Sequence, residues 1–253
     1  MDDEKWANEK NIKFFTASET DIPELIQFIH ENFLPEEPTN RNLKTVEGNG
    51  WIDRYLRNIM INTFIKNPIL KAEDVPGCTI ARTTTDNKIV GCRMGEVVSR
   101  ENGNDENIPP IMWIRNFPRC VPIPKKLIDS VNLLHLMKDL NYGKENAFIE
   151  LRDADKIYFA TKVCVSPRAR GCGLGSELVK RGYDIARRSG CGYTYVLASS
   201  LYSQHIFHKL GNCEVLHEAR YEDYLYDKKG RPFLVDPQEH KVLQVLAIRH
   251  LNN

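Results

Sequence analysis

Residues 163–176 read VCVSPRARGCGLGS and join two different hydrophobic patterns. An apolar run typical of a β-strand stops at Pro167, a basic and glycine-rich loop follows, and a helical pattern begins directly after it. The start of such a helix presents free backbone N–H groups beside the cationic side chains of the loop. Alternate glycines let an anion approach the backbone closely, because they carry no Cβ. The stretch therefore predicts a strand, an anion-binding loop and a helix, with a phosphate-bearing ligand at the loop.

The spacing of the glycines narrows the class of phosphate ligand. A P-loop requires a Gly-Lys-Ser/Thr element after its first glycine, and this loop has no such lysine. The dinucleotide fingerprint requires a third glycine three residues after the second, and Ser176 occupies that position. The pattern that fits is Arg-x-x-Gly-x-Gly, which resembles the pyrophosphate loop of the acetyl-CoA-binding GNAT acetyltransferases. The alternative is a plain strand-to-helix turn that is rich in glycine.

The composition argues against several classes of protein. The chain has 253 residues with 35 Lys and Arg against 34 Asp and Glu, a balance that does not favour broad binding of nucleic acid or anionic membrane. Seven cysteines at wide spacings, without a C-x-x-C pair, argue against a disulfide framework and a structural zinc site. The acidic N-terminus does not resemble a signal peptide, and no apolar run approaches ~18 residues. We therefore expect a cytoplasmic protein that binds neither nucleic acid nor membrane.

The hydrophobic pattern predicts a single α/β domain over residues 1–253. The order of elements is β-α-α-β-β-loop-α-β-α-β-α-β-β, which indicates a mixed sheet with helices around it. An apolar stripe from Ile22 to Phe33 recurs at helical spacing, and Pro35 ends that first helix. Further predictions are a helix over 51–64, a long loop over 101–124, a helix over 127–140, and strands over 78–82, 89–98, 157–165, 193–198, 215–221 and 242–248.

Two further segments carry side chains suited to catalysis. Ser199 and Ser203 follow a predicted strand and are four residues apart, so we expect them to share one helical face. Serine is also a preferred helix cap, which is the structural alternative. Glu37 lies between two prolines just past the first helix, where a carboxylate is held as a candidate base; the alternative is a solvated acidic pair with Glu36. Three histidines on predicted helices are interpreted as surface or packing residues: His30, His205 and His208.

Taken together, the three segments resemble the insect-type arylalkylamine N-acetyltransferases, a GNAT family that acetylates dopamine, serotonin and related amines. The Phe-Phe-x-Asp-Glu-Pro-Leu-Asn-like stretch at the end of that family's first helix is matched by NFLPEEPTN over residues 32–40. The family's Ser-Ser-His-Tyr-Ser run is matched by residues 199–203, and its Lys-Leu-Gly by residues 209–211. Residues 222–224 and 243–245 resemble an Ala-Asp-Tyr element and the last strand, so the resemblance spans nearly the whole chain.

The resemblance implies a GNAT fold, with a mixed, mostly antiparallel sheet of six to seven strands. It also implies an acyltransferase that uses acetyl-CoA and no metal to acetylate small amines such as dopamine, tyramine, octopamine and serotonin. An alkylamine with a pKa of about 10 arrives protonated, so Glu37 is implied as the base, with Ser199 and Ser203 at the catalytic site. The implied positions for acetyl-CoA are the strand beside pantetheine and the pyrophosphate loop: Val163, Cys164, Val165, Arg170, Gly171, Cys172, Gly173, Leu174, Gly175 and Ser176.

Several positions depart from the family pattern and leave the acceptor open. Leu201 replaces a histidine, Thr39 replaces a leucine, and Asn212 stands where a phenylalanine usually follows. The loops over 41–50 and 101–124 also differ, and we expect them to border the amine pocket. The alternatives are therefore a GNAT enzyme for a polyamine, an amino sugar or a protein lysine, and a GNAT-fold protein that binds CoA without turnover. The sequence does not fix the acyl-chain length or the oligomeric state, although we expect a monomer.

Overall fold

The structure, a computed structural model, describes residues 9–43, 77–102, 142–224 and 238–250, together with isolated positions between them. The described residues form seven strands and five α-helices. The strands are β1 (Ile12–Thr16), β2 (Cys78–Thr83), β3 (Ile89–Ser99), β4 (Lys156–Val165), β5 (Tyr193–Ala198), β6 (Cys213–Arg220) and β7 (Val242–Arg249). The helices are α1 (Ile22–Asn32), α2 (Pro38–Leu43), α3 (Lys144–Glu150), α4 (Leu174–Arg188) and α5 (Leu201–Leu210).

All seven strands join one sheet in the order β1-β2-β3-β4-β5-β7-β6. Neighbouring strands are antiparallel except β4 and β5, which run parallel. The predicted mixed, mostly antiparallel sheet is therefore confirmed, with seven strands. None of the helices within the described ranges has the length and apolarity needed to cross a bilayer.

Two groups of sequence predictions have other outcomes. Most of the helices predicted over 51–64 and 127–140, and nearly all of the loop predicted over 101–124, lie outside the described residues, although the described positions 54, 58 and 61 are helical and Leu140 is in a turn. Helix α3 was not predicted, because its seven residues are too few to show a helical period and bury only Ala147 and Phe148.

The parallel pair β4–β5 separates after four pairs of residues. Pairing runs from Ile157 opposite Tyr193 to Ala160 opposite Val196, after which both strands continue unpaired with each other. On the other side of β4, Gly95 opposes Ala160 and Met94 opposes Lys162, so Thr161 is the extra residue of a β-bulge. A bulge bends its strand and increases the local twist. The carboxyl-terminal halves of β4 and β5 thus diverge and leave a cleft between them.

The two faces of the sheet are covered by α1 and α4. The predicted apolar stripe of α1 is confirmed, since Leu25 and Ile29 are fully buried against β2 and β3. Helix α4 approaches β3 closely where Gly91 has no side chain. A Cβ at that position would lie 3.0 Å from a methyl carbon of Leu178. The start of α4 is thereby held beside the carboxyl end of β4.

Beneath α4, the largest buried polar side chain is Arg93. Its Nε donates to Thr79 Oγ1 over 3.1 Å, and its guanidinium donates to the hydroxyl of Tyr158. Because buried polar groups without partners are costly, these bonds stabilise the layer between sheet and helix. Tyr158 reaches Arg93 by passing directly over Gly95.

Gly95→Ala is expected to lower the free energy of unfolding by about 1–3 kcal/mol, because overpacking forces side chains and backbone to shift. The new Cβ would overlap the Tyr158 hydroxyl and lie 2.9 Å from the carbonyl oxygen of Phe159. Urea unfolding measures the change. The matched control is Gly182→Ala on α4, where a Cβ would lie 3.6 Å from the same tyrosine ring. That helix substitution should raise stability by up to about 1 kcal/mol. Wild-type stability of Gly95→Ala would contradict the expectation.

Candidate functional site

The glycine-rich loop lies between the end of β4 and the start of α4. Gly171 and Gly173 have φ angles of +75° and +89°, a region in which side chains with a Cβ are strained. Within the described part of the chain, the backbone N–H groups of residues 171–176 donate to no backbone carbonyl. Six such donors at the N-terminus of a 15-residue helix form a concave site for an anion.

A surface cavity of about 260 Å³ adjoins this loop. Lys10, Arg168 and Arg170 contribute cations to its lining, and Arg168 Nη1 lies 3.3 Å from Asp86 Oδ2. Of the loop residues with free N–H groups, Cys172 lines the cavity, which therefore lies beside both the cations and the loop. This combination suits a ligand with several phosphate groups.

Arg170 connects the loop to the acidic segment after α1. Its Nη2 donates to Glu36 Oε2, and its Nε donates to the carbonyl oxygen of Val165 over 3.3 Å. Glu36 is half-exposed and engaged by this arginine, whereas Glu37 is only 9% exposed. The interpretation of Glu36 and Glu37 as a solvated acidic pair is therefore wrong for Glu37.

Hydrogen bonds on both sides hold Glu37 in place. Its N–H donates to the carbonyl oxygen of Phe33 over 2.9 Å, and its own carbonyl oxygen accepts from the N–H of Arg41 over 2.9 Å. Thr39 donates its hydroxyl to Glu37 Oε2 over 2.5 Å. The threonine that departs from the family pattern thus orients the candidate base. The fixed backbone comes from the turn between α1 and α2 as well as from the flanking prolines.

Three titratable side chains from other parts of the chain lie within the field of Glu37. Burial lowers the pKa of Lys162 on β4 to about 8, while the charges of Cys92 and Glu37 act in the opposite direction. Burial raises the pKa of Tyr221, and the Glu37 charge raises it further. Burial lowers the pKa of His240 despite the nearby carboxylates, among them Glu37. The carboxylate therefore lies where β4 and the segments flanking β6 and β7 meet.

The serine segment is arranged differently from the prediction. Helix α5 begins at Leu201, and Ser200 is its N-cap, with Oγ accepting from the N–H of Ser203 over 3.2 Å. Ser203 Oγ donates to the carbonyl oxygen of Ser200 over 2.8 Å. Ser199 lies before the cap, so the prediction that Ser199 and Ser203 share one helical face is wrong. The reason is that the helix begins only after its Ser200 cap, so a helical spacing counted from Ser199 does not apply.

Tyr221 connects this segment to the Glu37 side of the cleft. Its hydroxyl donates to the carbonyl oxygen of Ser199 over 2.8 Å, and the side chain is fully buried. Glu37 also acts electrostatically on this tyrosine, so Glu37 and Ser199 both lie near Tyr221. The structure thus brings together two predicted site residues that are far apart in the sequence.

Along β4, every second residue directs its backbone N–H and C=O groups towards the cleft instead of towards β3. The N–H of Ser166 donates to the carbonyl oxygen of Val90, and partners across an antiparallel pair alternate between bonded and non-bonded. Cys164 therefore bonds towards β3, opposite Cys92, whereas Val163 and Val165 point their polar groups into the cleft. The Val165 carbonyl oxygen already accepts from Arg170. Of the three predicted strand positions, Val163 has its backbone groups available to a ligand.

His240 is a site residue that the sequence did not single out. It is 3% exposed, and its Nδ1 accepts from the N–H of Leu201 over 3.1 Å, which fixes the orientation of the ring. Tyr202 contacts the ring edge-on at 5.8 Å between centroids and donates its hydroxyl to Glu239 over 2.5 Å. The sequence around His240 contains no motif that predicts a site residue, because the residues that contact its ring lie on α5 and are distant in the sequence.

Comparison with known proteins shows which folds this chain resembles. No curated protein sequence matches the chain. The fold is similar to arylalkylamine N-acetyltransferase 2 from Aedes aegypti, at 20% identity over 94% of this chain and 99% of that one, with a TM-score of 0.69. A Drosophila melanogaster polyamine N-acetyltransferase that forms N-acetylagmatine gives 17% identity, 94% and 100% coverage, and a TM-score of 0.64.

The sequence also matches a family profile over part of its length. Residues 134–211 match the acetyltransferase (GNAT) family. This range includes the divergent strands β4 and β5, the glycine loop, and helices α4 and α5. Residues 134–211 thus match the GNAT acetyltransferase family, and the chain as a whole has the fold of the similar acetyltransferase structures.

Proposed function

We propose that this protein transfers the acetyl group of acetyl-CoA to the amine of arylalkylamines, such as tyramine, dopamine, octopamine and serotonin. The observation that supports the proposal is Glu37, a buried carboxylate that is oriented by Thr39 and acts electrostatically on Lys162, which follows the last residue pair between β4 and β5. A base at this point lies between a strand with free polar groups and the serine segment. That is the arrangement needed to activate an amine next to a thioester.

The donor side of the cleft fits acetyl-CoA, which supplies the acetyl group as a thioester. The N–H groups of residues 171–176 offer donors for a pyrophosphate, and Lys10 and Arg168 offer further positive charge. Val163 offers a strand edge to the amide groups of the pantetheine arm, as a neighbouring strand would. Its N–H is also on the cleft side, where it can polarise a carbonyl oxygen.

On the acceptor side, Glu37 removes the proton that keeps an alkylammonium ion from attacking. Such an amine has a pKa of about 10 and is almost fully protonated at neutral pH. A carboxylate within hydrogen-bond reach takes the proton directly or through one water molecule. Phe33 and Tyr202 lie beside this region and offer aromatic surface to the aryl part of the acceptor.

Ser203 is proposed to supply a hydrogen bond or a proton to the departing thiolate. In this structure its hydroxyl donates to the Ser200 carbonyl oxygen, so it must turn away from the helix cap to do so. Ser199 is proposed to shape the same end of the cleft, and its carbonyl oxygen is engaged by Tyr221.

A second candidate acceptor is a diamine or polyamine. The fold is also similar to an agmatine N-acetyltransferase, with 16% identity over 95% of this chain and all of that one, and a TM-score of 0.66. The residues expected to border the far end of the acceptor pocket, 44–50 and 103–124, lie outside the described residues. The two candidate acceptors differ at the end far from the reacting amine: an arylalkylamine carries an aromatic ring there, and a diamine or polyamine carries a second cationic group.

An amine panel tests the proposed activity. Release of free thiol from acetyl-CoA is expected with tyramine, dopamine and serotonin, because each presents one aliphatic amine and one ring. Spermidine, agmatine and a lysine peptide are measured in parallel, and kcat/KM is compared across the panel. The proposal fails if the protein acetylates none of the aryl amines. Turnover of agmatine or spermidine alone would support the second candidate.

Glu37→Gln is expected to lower kcat/KM for tyramine at pH 7 by about 10²-fold or more, because it removes general-base catalysis. The loss should shrink towards pH 9–9.5, since the free-amine fraction rises about tenfold per pH unit below the amine pKa. The control is Glu31→Gln, an exposed carboxylate on α1 that accepts a hydrogen bond from Gln27 Nε2 over 2.8 Å. Equal activity of wild type and Glu37→Gln at pH 7 would show that Glu37 is not the base.

Gly173→Val tests the anion cradle. We expect CoA affinity, measured by calorimetry, to fall at least about tenfold, because a Cβ at the helix start blocks close approach to the backbone. The positive φ should also cost about 1–2 kcal/mol of stability. Gly190→Val is the matched control, since Gly190 follows the other end of α4 with φ +73° and open space for a Cβ. It should lose similar stability and keep its affinity for CoA. If both variants lose CoA affinity, backbone strain alone explains the effect, and the expectation that the loop holds the anion is contradicted.

A further inference from the structure

Lys162 is a cation of the acceptor side that the proposed mechanism does not use. It follows the bulge at Thr161 and lies opposite Met94, just past the last residue pair between β4 and β5. Its Nζ lies 5.7 Å from the ring centroid of Phe33, the residue that ends α1. The side chain is half-buried and extends to the face of the sheet on which Glu37 lies.

The groups around Lys162 leave its charge beside that of Glu37. Cys92 faces it from β3, but burial raises the pKa of that thiol well above its usual range, so the thiol is neutral. From the turn between α1 and α2, Glu37 acts electrostatically on Lys162. Glu37 also acts on His240, whose pKa is lowered by burial, so that ring is neutral at pH 7.

Other charged groups of both signs lie near Glu37. Glu36 is engaged by Arg170, and the Glu239 carboxylate accepts a hydrogen bond from Tyr202. Arg41 adds a second cation, with its Nε and Nη2 donating to the carbonyl oxygens of Pro35 and Glu36 over 3.1 Å each. Among the described residues, the negative charge of Glu37 is therefore offset by nearby cations.

We propose that Lys162 is a specificity-determining residue, whose ammonium beside Glu37 selects acceptors with one amine and disfavours those with a second cationic group. The inference rests on the proposed function, since it concerns the acceptor of that reaction. An acceptor with one amine gives up its excess charge when Glu37 removes the proton. A diamine keeps a second positive charge within a few carbon atoms of Lys162, and like charges at such distances repel strongly in a partly buried site.

The same ammonium favours an aryl acceptor. Lys162 already lies over the face of Phe33, which shows that an aromatic ring is compatible with its position. The face of a second ring would attract the ammonium in the same way. Lys162 therefore discriminates between the two candidate acceptors, since it attracts the aryl group of one and repels the distal cation of the other.

The test compares Lys162→Gln with wild type, using tyramine and agmatine as acceptors and acetyl-CoA as donor. Wild type is expected to prefer tyramine. In Lys162→Gln the ratio of kcat/KM for agmatine to that for tyramine should rise about tenfold, because Glu37 is no longer offset. Lys162→Arg should keep the wild-type ratio, since it keeps the charge. Lys156→Gln removes an exposed lysine from the start of the same strand and should also keep the ratio.

Thermal unfolding in the presence of each amine gives a second readout that does not depend on turnover. Tyramine should raise the melting temperature of wild type more than agmatine does, and this order should reverse or vanish in Lys162→Gln. An unchanged ratio and an unchanged order in a folded Lys162→Gln protein would overturn the inference, as would a wild-type preference for agmatine. Absence of turnover on every aryl amine would instead count against the proposed function, and the order of thermal shifts would still decide the inference.

Discussion

The loss of pairing between β4 and β5 after Ala160 and Val196 is the constraint on which the site depends. Two parallel strands that stay paired leave no polar edge for a ligand. Here the bulge at Thr161 turns β4 away, and the backbone of Val163 and Val165 faces an open cleft. The glycine loop and α4 follow directly from the diverging strand, so the anion-binding donors are carried to the mouth of the same cleft.

The charge of Glu37 organises the other side of that cleft. Burying a carboxylate is costly unless hydrogen bonds and cations compensate for the lost water. Thr39 supplies the hydrogen bond, and Lys162 and Arg41 supply positive charge nearby. Neutral Tyr221 and His240 complete the surroundings without adding charge. The surroundings of Glu37 thus compensate for the burial of its charge.

Much of the fold could be predicted from the sequence, because strands and helices leave local signatures. The hairpin β2–β3, the end of α1 near Phe33 and the start of α4 after Gly173 follow from alternation, proline and glycine. The serine segment was predicted less well. Its spacing indicated one helical face, but the helix starts two residues after Ser199, because Ser200 caps it. The candidacy of Glu37 was predicted from prolines, whereas its burial and its bond to Thr39 depend on the packed turn.

By itself, the sequence determined the order of elements, the anion-binding loop and the candidate base, because each depends on residues close together along the chain. Only the tertiary structure decided which charges surround that base. Lys162, Tyr221 and His240 come from β4 and from segments next to β6 and β7, and none carries a local signature. They meet Glu37 because the sheet order places β4 and β5 together and positions α1 over one face. Electrostatic compensation acts through space, so only the folded chain reveals it.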